Sequence, residues 1–197
     1  EQRRQSSVMT TILPSPWNDS KINVLDAPGY ADFAGEMLSA LRVADAAILV
    51  VAAPSGIEVG TDQAWVRLEE RSLPRIVVIN KLDRENTEFD QVVEAITEAW
   101  GRKCVPIQLP NGAESDFTAA GSLISDSALQ EGAGAELYER LVEAVAETDD
   151  ALTEKFLEGE ALTADELISG LKQGIASGDI VPIVATAALE EVGVSDL

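Results

Sequence analysis

Short apolar runs alternate along the chain with segments in which apolar residues recur every three or four positions. The runs predict strands at about 8–13, 21–25, 46–51, 75–79, 104–109 and 180–184. The helical spacing predicts helices at about 31–44, 61–72, 86–100, 135–148, 150–157 and 163–178. Because strands and helices alternate over most of the length, the sequence predicts an α/β fold with a mostly parallel sheet flanked by helices.

Local signals refine this outline. A turn at 14–20 is expected to join the first two strands into an antiparallel hairpin at the edge of the sheet. The run 46–51 is apolar at every position, which is typical of a central strand buried on both faces. Thr61 is expected to cap one helix, and Thr163 with Glu166 has the pattern of a capping box at the start of another.

One predicted strand ends in residues suited to metal and phosphate. Residues 22–25 lead into Asp26, followed by Ala27-Pro28-Gly29 and a helix. Open α/β sheets place ligands at the carboxyl ends of strands, and a carboxylate there suits Mg²⁺ beside substrate phosphates. Gly29 lacks a Cβ, so its N–H can approach a phosphate oxygen closely. Taken alone, the motif also fits an ordinary strand-turn-helix with an exposed aspartate.

A second predicted strand ends in a pattern suited to guanine, Asn80-Lys81-Leu82-Asp83. The Asp83 carboxylate can accept two parallel hydrogen bonds, from the ring N–H and the exocyclic amine of guanine. Adenine lacks this pair of donors and would leave the carboxylate unpaired, at a cost of roughly 1–3 kcal/mol. The stem of Lys81 can lie along the base, and Asn80 can bridge to the neighbouring loops.

Together these two patterns resemble the third and fourth signature elements of translational GTPases, and in particular the GTP-binding domain of elongation factor G and its paralogues. The resemblance covers nearly the whole chain. Three further stretches agree with the family: Tyr30-Ala31-Asp32-Phe33, Leu41-Arg42-Val43-Ala44-Asp45 and Glu154-Lys155-Phe156-Leu157-Glu158-Gly159-Glu160. The resemblance implies a P-loop-NTPase-like sheet, with GTP or GDP and Mg²⁺ as ligands.

The resemblance also implies roles for further residues. Ser7 lies where a threonine hydroxyl of the family binds Mg²⁺, although an ordinary polar lead-in to a strand fits it equally well. Thr186 and Ala187 lie where a Ser-Ala loop contacts the guanine carbonyl through backbone N–H groups. Tyr30 lies where elongation factor G has a histidine that orients the attacking water. A phenol cannot carry the imidazolium charge near neutral pH, so slow or differently triggered hydrolysis is expected, unless Tyr30 is a packing residue.

The same resemblance divides the chain into parts. Residues 1–103 are expected to form the core of the GTP-binding domain, and 104–164 a reduced form of the subdomain that elongation factor G inserts. Residues 165–197 are expected to supply the last helix, strand and base-contacting loop. Within the insert, the stretch 111–134 is rich in Gly, Ala, Ser and Asp, which predicts a long loop with a short strand at 122–124.

One family signature, Gly-x-x-x-x-Gly-Lys-Ser/Thr, does not occur in the 197 residues. That loop holds the α- and β-phosphates. In the family it precedes the segment matched by residues 1–8, so the chain is expected to start after it, without the amino-terminal strand and helix. That strand normally lies in the middle of the sheet, so 22–25 and 46–51 are expected to have unpaired edges. The chain by itself is therefore expected to bind GTP weakly.

Composition restricts location and partners. The formal net charge is −21, with 35 acidic and 14 basic residues, which disfavours direct binding to DNA or another nucleic-acid backbone. Cys104 is the single cysteine and there is no histidine, so neither an internal disulfide nor a metal pattern is expected and a cytoplasmic location fits. No apolar run is long enough to cross a membrane.

These observations predict the GTP-binding and GTP-hydrolysing domain of a ribosome-associated, elongation-factor-G-like protein of translation. The alternative is a guanine-nucleotide-sensing regulatory paralogue with little hydrolysis, which Tyr30 favours. A structural domain without a nucleotide is a third possibility, which the intact Asn80-Lys81-Leu82-Asp83 disfavours.

Overall fold

The computed structural model describes residues 6–195, and the chain forms two compact units. Unit 1 contains the residues up to 47 together with 58–73, and unit 2 contains 48–57 and the residues from 74 onwards. Within the described part of the chain, no helix has the length and apolar character needed to cross a membrane.

Unit 1 begins with a β-hairpin. β1 (Thr11–Trp17) and β2 (Ser20–Asp26) pair antiparallel along their whole length. Asn18 and Asp19 connect them with φ angles of 42° and 61°. Left-handed backbone at both positions is what a two-residue turn needs to match the twist of the strands. The hairpin therefore has a tight, fully local connection.

This hairpin differs from the sequence prediction in two respects. The turn is shorter than 14–20, and β1 includes Pro14 and Pro16. A two-stranded sheet has open edges, where the missing N–H of proline costs no ladder hydrogen bond. The sequence also predicts that the hairpin forms the edge of the parallel sheet, whereas among the described residues it is a two-stranded sheet of its own.

Two helices complete unit 1. α1 (Ala34–Leu41) follows a short 3-10 turn and is shorter at both ends than predicted. α2 (Val59–Glu70) starts where the backbone leaves the extended conformation at Glu58, whose side chain makes no capping hydrogen bond. The predicted cap at Thr61 is therefore wrong. The buried side chain of Trp65 confirms the predicted inward face of α2.

Unit 2 is built around a four-stranded sheet. The strands of this unit are β3 (Ala47–Ala52), β4 (Arg75–Asn80), β5 (Cys104–Pro106), β6 (Gln108–Asn111), β7 (Ala119–Ser122) and β8 (Val181–Ala185). The sheet has the order β3-β4-β8-β5, and β4 and β5 both pair parallel with β8. This arrangement confirms the predicted α/β class.

Helices flank this sheet. They are α3 (Phe89–Trp100), α4 (Ser127–Glu131), α5 (Ala135–Ala146), α6 (Asp150–Leu157) and α7 (Ala164–Ser177). α3 and α5 pack against β5, and α7 packs against β8. The capping box predicted at Thr163 and Glu166 is present, and Gly178 ends α7 with a left-handed φ of 84°. The strand-helix alternation seen in the sequence is thereby confirmed.

One apolar cluster of unit 2 draws on distant parts of the chain: Val105, Leu123, Leu141, Val145, Leu167, Leu171 and Ile180. Some of these residues belong to the predicted insert, 104–164, and others to the predicted final part, 165–197. The two segments thus share one core. The division of the chain at 103/104 and 164/165 stays a prediction.

The stretch 111–134 is more regular than the sequence predicts. β6 and β7 form an antiparallel hairpin, and α4 follows it. The strand lies at Ala119–Ser122 rather than at 122–124. Its residues are small because α4 lies close: a Cβ at Gly121 would overlap the side chain of Leu129. Such a strand lacks the alternation of large apolar residues by which strands are found in a sequence.

β3 is open on one face. Leu49 and Val51 are buried, but Ile48 is 54% exposed and Val50 is 53% exposed. The predicted burial of this strand on both faces is therefore wrong for the described residues. β3 lies at the edge of the four-stranded sheet, and an edge strand can carry apolar side chains on a face that no other element of its unit covers.

Candidate nucleotide-binding site

The carboxyl end of β2 carries the predicted metal residues of unit 1. Ser7 Oγ donates a hydrogen bond of 2.8 Å to Asp26 Oδ2, so the structure brings these two predicted ligands together. Among residues 6–195, no group of three or more His, Cys, Asp or Glu forms a metal cluster. One hydroxyl and one carboxylate suit a hard cation that keeps several waters and takes other oxygens from phosphates. The pair therefore fits part of a Mg²⁺ shell.

The segment that carries Ser7 is tied to α1. The Thr10 N–H donates to Glu36 Oε2 at 2.8 Å, and the Thr10 hydroxyl donates to the Glu36 carbonyl at 3.4 Å. The backbone hydrogen bond from Thr10, with a smaller contribution from its hydroxyl, lowers the pKa of the Glu36 carboxyl. This bond orders the chain just before β1 and so supports the position of Ser7.

The loop after Asp26 packs on α2. A Cβ at Gly60, in the first turn of α2, would lie 2.6 Å from the carbonyl oxygen of Gly29. Nothing lies within 4 Å of the position that a Cβ would take at Gly29 itself, so a ligand can approach from that side. The tight contact therefore requires glycine at position 60. Sequence analysis missed Gly60, because a lone glycine at a helix start carries no sign of its distant neighbour.

Tyr30 follows this loop and is 62% exposed. Its carbonyl accepts the N–H of Phe33 at 2.9 Å, which begins the 3-10 turn before α1. Its side chain is therefore not packed within residues 6–195, and the choice between a catalytic and a packing role stays a prediction. The phenol is accessible to water, which the predicted catalytic role requires.

Asn80 joins two loops in unit 2. Its Oδ1 accepts three hydrogen bonds: from the Lys81 N–H at 2.8 Å, the Thr186 hydroxyl at 3.2 Å and the Ala188 N–H at 3.0 Å. A single side chain thus connects the end of β4 with the loop after β8. The sequence prediction that Asn80 bridges neighbouring loops agrees with this geometry.

Thr186 and Ala187 lie beside Asn80 but use their own N–H groups inside the protein. The Thr186 N–H donates to the Ile79 carbonyl at 2.8 Å, and the Ala187 N–H donates to the Val192 carbonyl at 3.0 Å. Thr186 is 1% exposed. The loop is therefore firmly held. A contact between the Ala187 N–H and a guanine carbonyl would have to share or replace the bond to Val192.

Lys81 and Asp83 form the outer part of the first loop. Lys81 is exposed and adopts a left-handed φ of 66°, which is uncommon for a residue with a side chain and occurs preferentially at functional sites. The Asp83 side chain is 17% exposed, and its Oδ2 lies 3.2 Å from Nε of Arg84. Because the Arg84 side chain is 54% exposed, it can move without disturbing a packed region.

Thr87, near the start of the helix predicted at 86–100, also supports the loop that carries Asp83. Its buried hydroxyl donates to the Arg84 carbonyl at 2.7 Å and lies 3.2 Å from the Leu82 carbonyl. α3 starts two residues later, at Phe89. A threonine shortly after a turn is a recognisable signal for such side-chain-to-backbone bonding.

A cavity of about 450 Å³ lies next to Asp83. Its lining comes from Asp83, Ser115, Phe117, Thr118, Glu190 and Val192. This volume is in the range of small-ligand sites. The lining comes from three segments: the loop after β4, the turn between β6 and β7, and the stretch 190–192 that follows β8. Asp83 therefore borders a partly open space that three separate segments of unit 2 line.

Comparisons with known proteins agree with this geometry. A family model described as the elongation factor Tu GTP binding domain matches residues 1–197. The chain is also similar to a crystal structure of a protein from Thermus thermophilus, with a TM-score of 0.88 and 29% identity. That match covers 99% of this chain but 32% of the other. The resemblance to elongation-factor-G-like translational GTPases is confirmed. The chain belongs to the family of elongation factor Tu GTP binding domains.

Proposed function

We propose that this chain binds guanine nucleotides as the GTPase domain of an elongation-factor-G-like protein that works on the ribosome. The observation that carries the proposal is the threefold bonding of Asn80, which fixes the Lys81–Asp83 loop beside the Thr186–Ala188 loop. A rigid pair of loops next to a cavity is what selective base binding needs, since the protein then loses little entropy on binding.

In this proposal Asp83 selects guanine. Its carboxylate accepts hydrogen bonds from the ring N–H and the exocyclic amine, and the methylene stem of Lys81 covers one face of the base. Arg84 is the present partner of Asp83 Oδ2, and its exposure lets it give way to the amine donor of guanine. Thr186 and Ala187 form the adjoining wall, and Thr186 also holds Asn80 in place.

For the phosphate end we propose that Ser7 and Asp26 hold Mg²⁺, with Gly29 offering its N–H to the γ-phosphate. The cation would neutralise phosphate charge as it builds up during hydrolysis. The support is the 2.8 Å hydrogen bond between Ser7 and Asp26 and the open space in front of Gly29. Tyr30 is proposed to hold the attacking water through its exposed hydroxyl. Since a phenol carries no positive charge, we expect slow hydrolysis.

Nucleotide preference tests the base-binding part directly. In the full-length protein, Asp83→Asn should weaken GDP binding by roughly a hundredfold, because the amide offers only one acceptor to two donors. The same change should strengthen binding of xanthosine diphosphate, whose second carbonyl needs a donor in that place. Isothermal titration calorimetry with both nucleotides measures the two effects.

Asp45→Asn is the matched control, since it makes the same change at an exposed position of unit 1. It should leave both affinities within about twofold. If Asp83→Asn weakens both nucleotides equally, or neither, Asp83 does not select guanine and the proposal fails. Ribosome-stimulated phosphate release from the full-length protein, in a cytoplasmic extract or with purified ribosomes, tests the hydrolytic part separately.

A further inference from the structure

The hairpin of β6 and β7 with its turn, residues 108–122, is here called the inserted hairpin. Its turn is tightly built. Gly112 has a left-handed φ of 84°, and a Cβ there would overlap the Asp116 carbonyl. Glu114 also has a left-handed φ, of 54°, which is costly for a residue with a side chain. Such strain persists only where surrounding contacts hold the residue in place, so the contacts of Glu114 show what holds this turn.

Glu114 reaches the loop that carries Asp83. Its Oε1 accepts the backbone N–H of Asn86 at 2.6 Å. Asn86 itself has a left-handed φ of 59°, and it lies three residues after Asp83. An ionised carboxylate that accepts a backbone N–H makes one of the stronger kinds of hydrogen bond. The bond therefore holds the chain three residues after the carboxylate proposed to select guanine.

A second bond ties the inserted hairpin to the end of β8, just before the Thr186–Ala188 loop. The Gln108 side chain is 5% exposed, and its Oε1 accepts the N–H of Ala185 at 3.1 Å. Ala185 directly precedes Thr186. The backbone of Ile107, just before the hairpin, also donates to the Ile183 carbonyl at 3.0 Å. The inserted hairpin is thus bonded to the end of β8 next to Thr186 and, through Glu114, to Asn86 in the segment after Asp83.

The cavity beside Asp83 shows the same arrangement. Half of its six lining residues, Ser115, Phe117 and Thr118, come from the turn of the inserted hairpin. Phe117 is 5% exposed, so this wall is fixed rather than mobile. The turn therefore borders the space in front of Asp83 and also holds the Asp83 loop through Glu114.

We propose that Glu114 of the inserted hairpin is a positioning residue for guanine selection, which holds Asp83 at the geometry needed for the exocyclic amine. The inference rests on the proposed role of Asp83 in base binding. It predicts that Glu114 affects the choice between purines more than it affects nucleotide binding in general, because the bond acts on the loop that reads the base and on no phosphate ligand.

Inosine diphosphate separates these effects, since hypoxanthine keeps the ring N–H of guanine but lacks the amine. In the full-length protein, Glu114→Ala should reduce the preference for GDP over inosine diphosphate by roughly tenfold, mainly through weaker GDP binding. Glu114→Gln keeps an acceptor oxygen and should retain the preference to within about threefold. Asp116→Ala removes the same charge from the same turn without touching Asn86, and should leave both affinities unchanged.

Hydrogen–deuterium exchange gives a second readout without nucleotide. The peptide covering 83–88 should exchange faster in Glu114→Ala than in wild type or Asp116→Ala, because the Asn86 N–H loses its acceptor. Unchanged exchange there, or equal weakening of GDP and inosine diphosphate, would overturn the inference. A wild-type protein with no preference for GDP would instead refute the base-selecting role of Asp83. In that case the exchange result still shows whether Glu114 holds the loop.

Discussion

The residues proposed to bind metal in unit 1 and those proposed to bind the base in unit 2 are held in different ways. Asp26 is exposed, and within residues 6–195 its side chain has one partner, Ser7, at 2.8 Å. In unit 2, Asn80 accepts three hydrogen bonds and Thr186 is almost fully buried. The base-binding residues are therefore set in place by the protein's own bonds before any ligand arrives.

This difference follows from what each group has to bind. A metal ion brings strong interactions of its own, so its protein ligands can be few and exposed as long as waters and phosphate oxygens complete the shell. A base is chosen by two directional hydrogen bonds, and small displacements of the carboxylate abolish that choice. Rigid support is therefore needed on the side that selects the base, and less so on the side that binds the metal.

The largest expected effect comes from removing the support on the base side. Asn80→Ala deletes the acceptor of the Lys81 N–H and the Ala188 N–H, and leaves the buried Thr186 hydroxyl only the Ile79 carbonyl at 3.3 Å. We expect the free energy of unfolding to fall by about 3 kcal/mol, since several donors lose their partner at once. Urea unfolding followed by circular dichroism measures the change.

Asn80→Asp retains an oxygen at Oδ1 and is the control for this experiment. We expect it to cost less than about 1 kcal/mol, because all three donors keep an acceptor. If the alanine variant is as stable as the aspartate variant, the two loops are not held together through Asn80, and the contrast between the units disappears.

A smaller effect is expected from the tight backbone contact between Gly60 and Gly29 in unit 1. Gly60→Ala places a methyl group 2.6 Å from the Gly29 carbonyl, so the loop or α2 must shift. We expect a loss of about 2 kcal/mol in unfolding free energy, which is typical of overpacking. Thermal and urea unfolding of the purified variant give the value.

Gly35→Ala is closely matched, because Gly35 is the second residue of α1 as Gly60 is of α2. Nothing lies within 4 Å of a Cβ at Gly35, so alanine there should stabilise by up to about 1 kcal/mol through its better helix propensity. If Gly60→Ala and Gly35→Ala change the free energy of unfolding equally, the contact with Gly29 does not restrict the side chain at position 60.

The smallest effect is expected on the folding stability at acidic pH, because the two carboxylates involved are accessible to solvent. The Thr163 N–H, together with Lys155 and the Thr163 hydroxyl, lowers the pKa of Glu166 in unit 2 from 4.5 to about 2. The Thr10 N–H and hydroxyl lower the pKa of Glu36 in unit 1. A carboxyl group whose pKa is lower in the folded than in the unfolded protein stabilises the fold at pH values above its unfolded pKa. This stabilisation is lost as the pH falls through the folded-state pKa.

The stability difference between wild type and Glu166→Gln should therefore be constant above about pH 5 and shrink between about pH 4.5 and pH 2. Glu36→Gln should show a loss in the same direction. Denaturant unfolding across this pH range tests both. A difference that stays level down to pH 2 would mean that the Thr163 and Lys155 bonds do not form in solution.

Local signals in the sequence were sufficient for much of the fold. The helical spacing of Phe89, Val92, Val93, Ile96 and Trp100 marks the buried face of α3, and all five are buried. The capping box at Thr163 is a pattern within four residues and is present as predicted. The motif residues Asn80 and Thr186 are far apart in sequence, but Asn80 ends β4 and Thr186 follows its parallel neighbour β8. Their proximity could be anticipated because the family resemblance gives both a role at the base.

Contacts between distant residues could not be derived in this way. Glu114 lies 28 positions from Asn86, and Gln108 lies 77 positions from Ala185. Neither pair leaves a trace in local periodicity. The exposure of Ile48 was missed for a related reason: an apolar strand looks the same in sequence whether its two faces are covered or only one is.

That open face has a consequence for how these 197 residues behave in solution. Ile48 and Val50 on β3, and Leu13 and Val24 on the hairpin, present aliphatic side chains to water, and such patches promote self-association. A net charge of −21 opposes association through mutual repulsion. At about 0.1 M salt this repulsion is screened beyond about 10 Å. The colloidal behaviour of the chain therefore depends on ionic strength, with monodispersity favoured in dilute buffer and clustering favoured by salt.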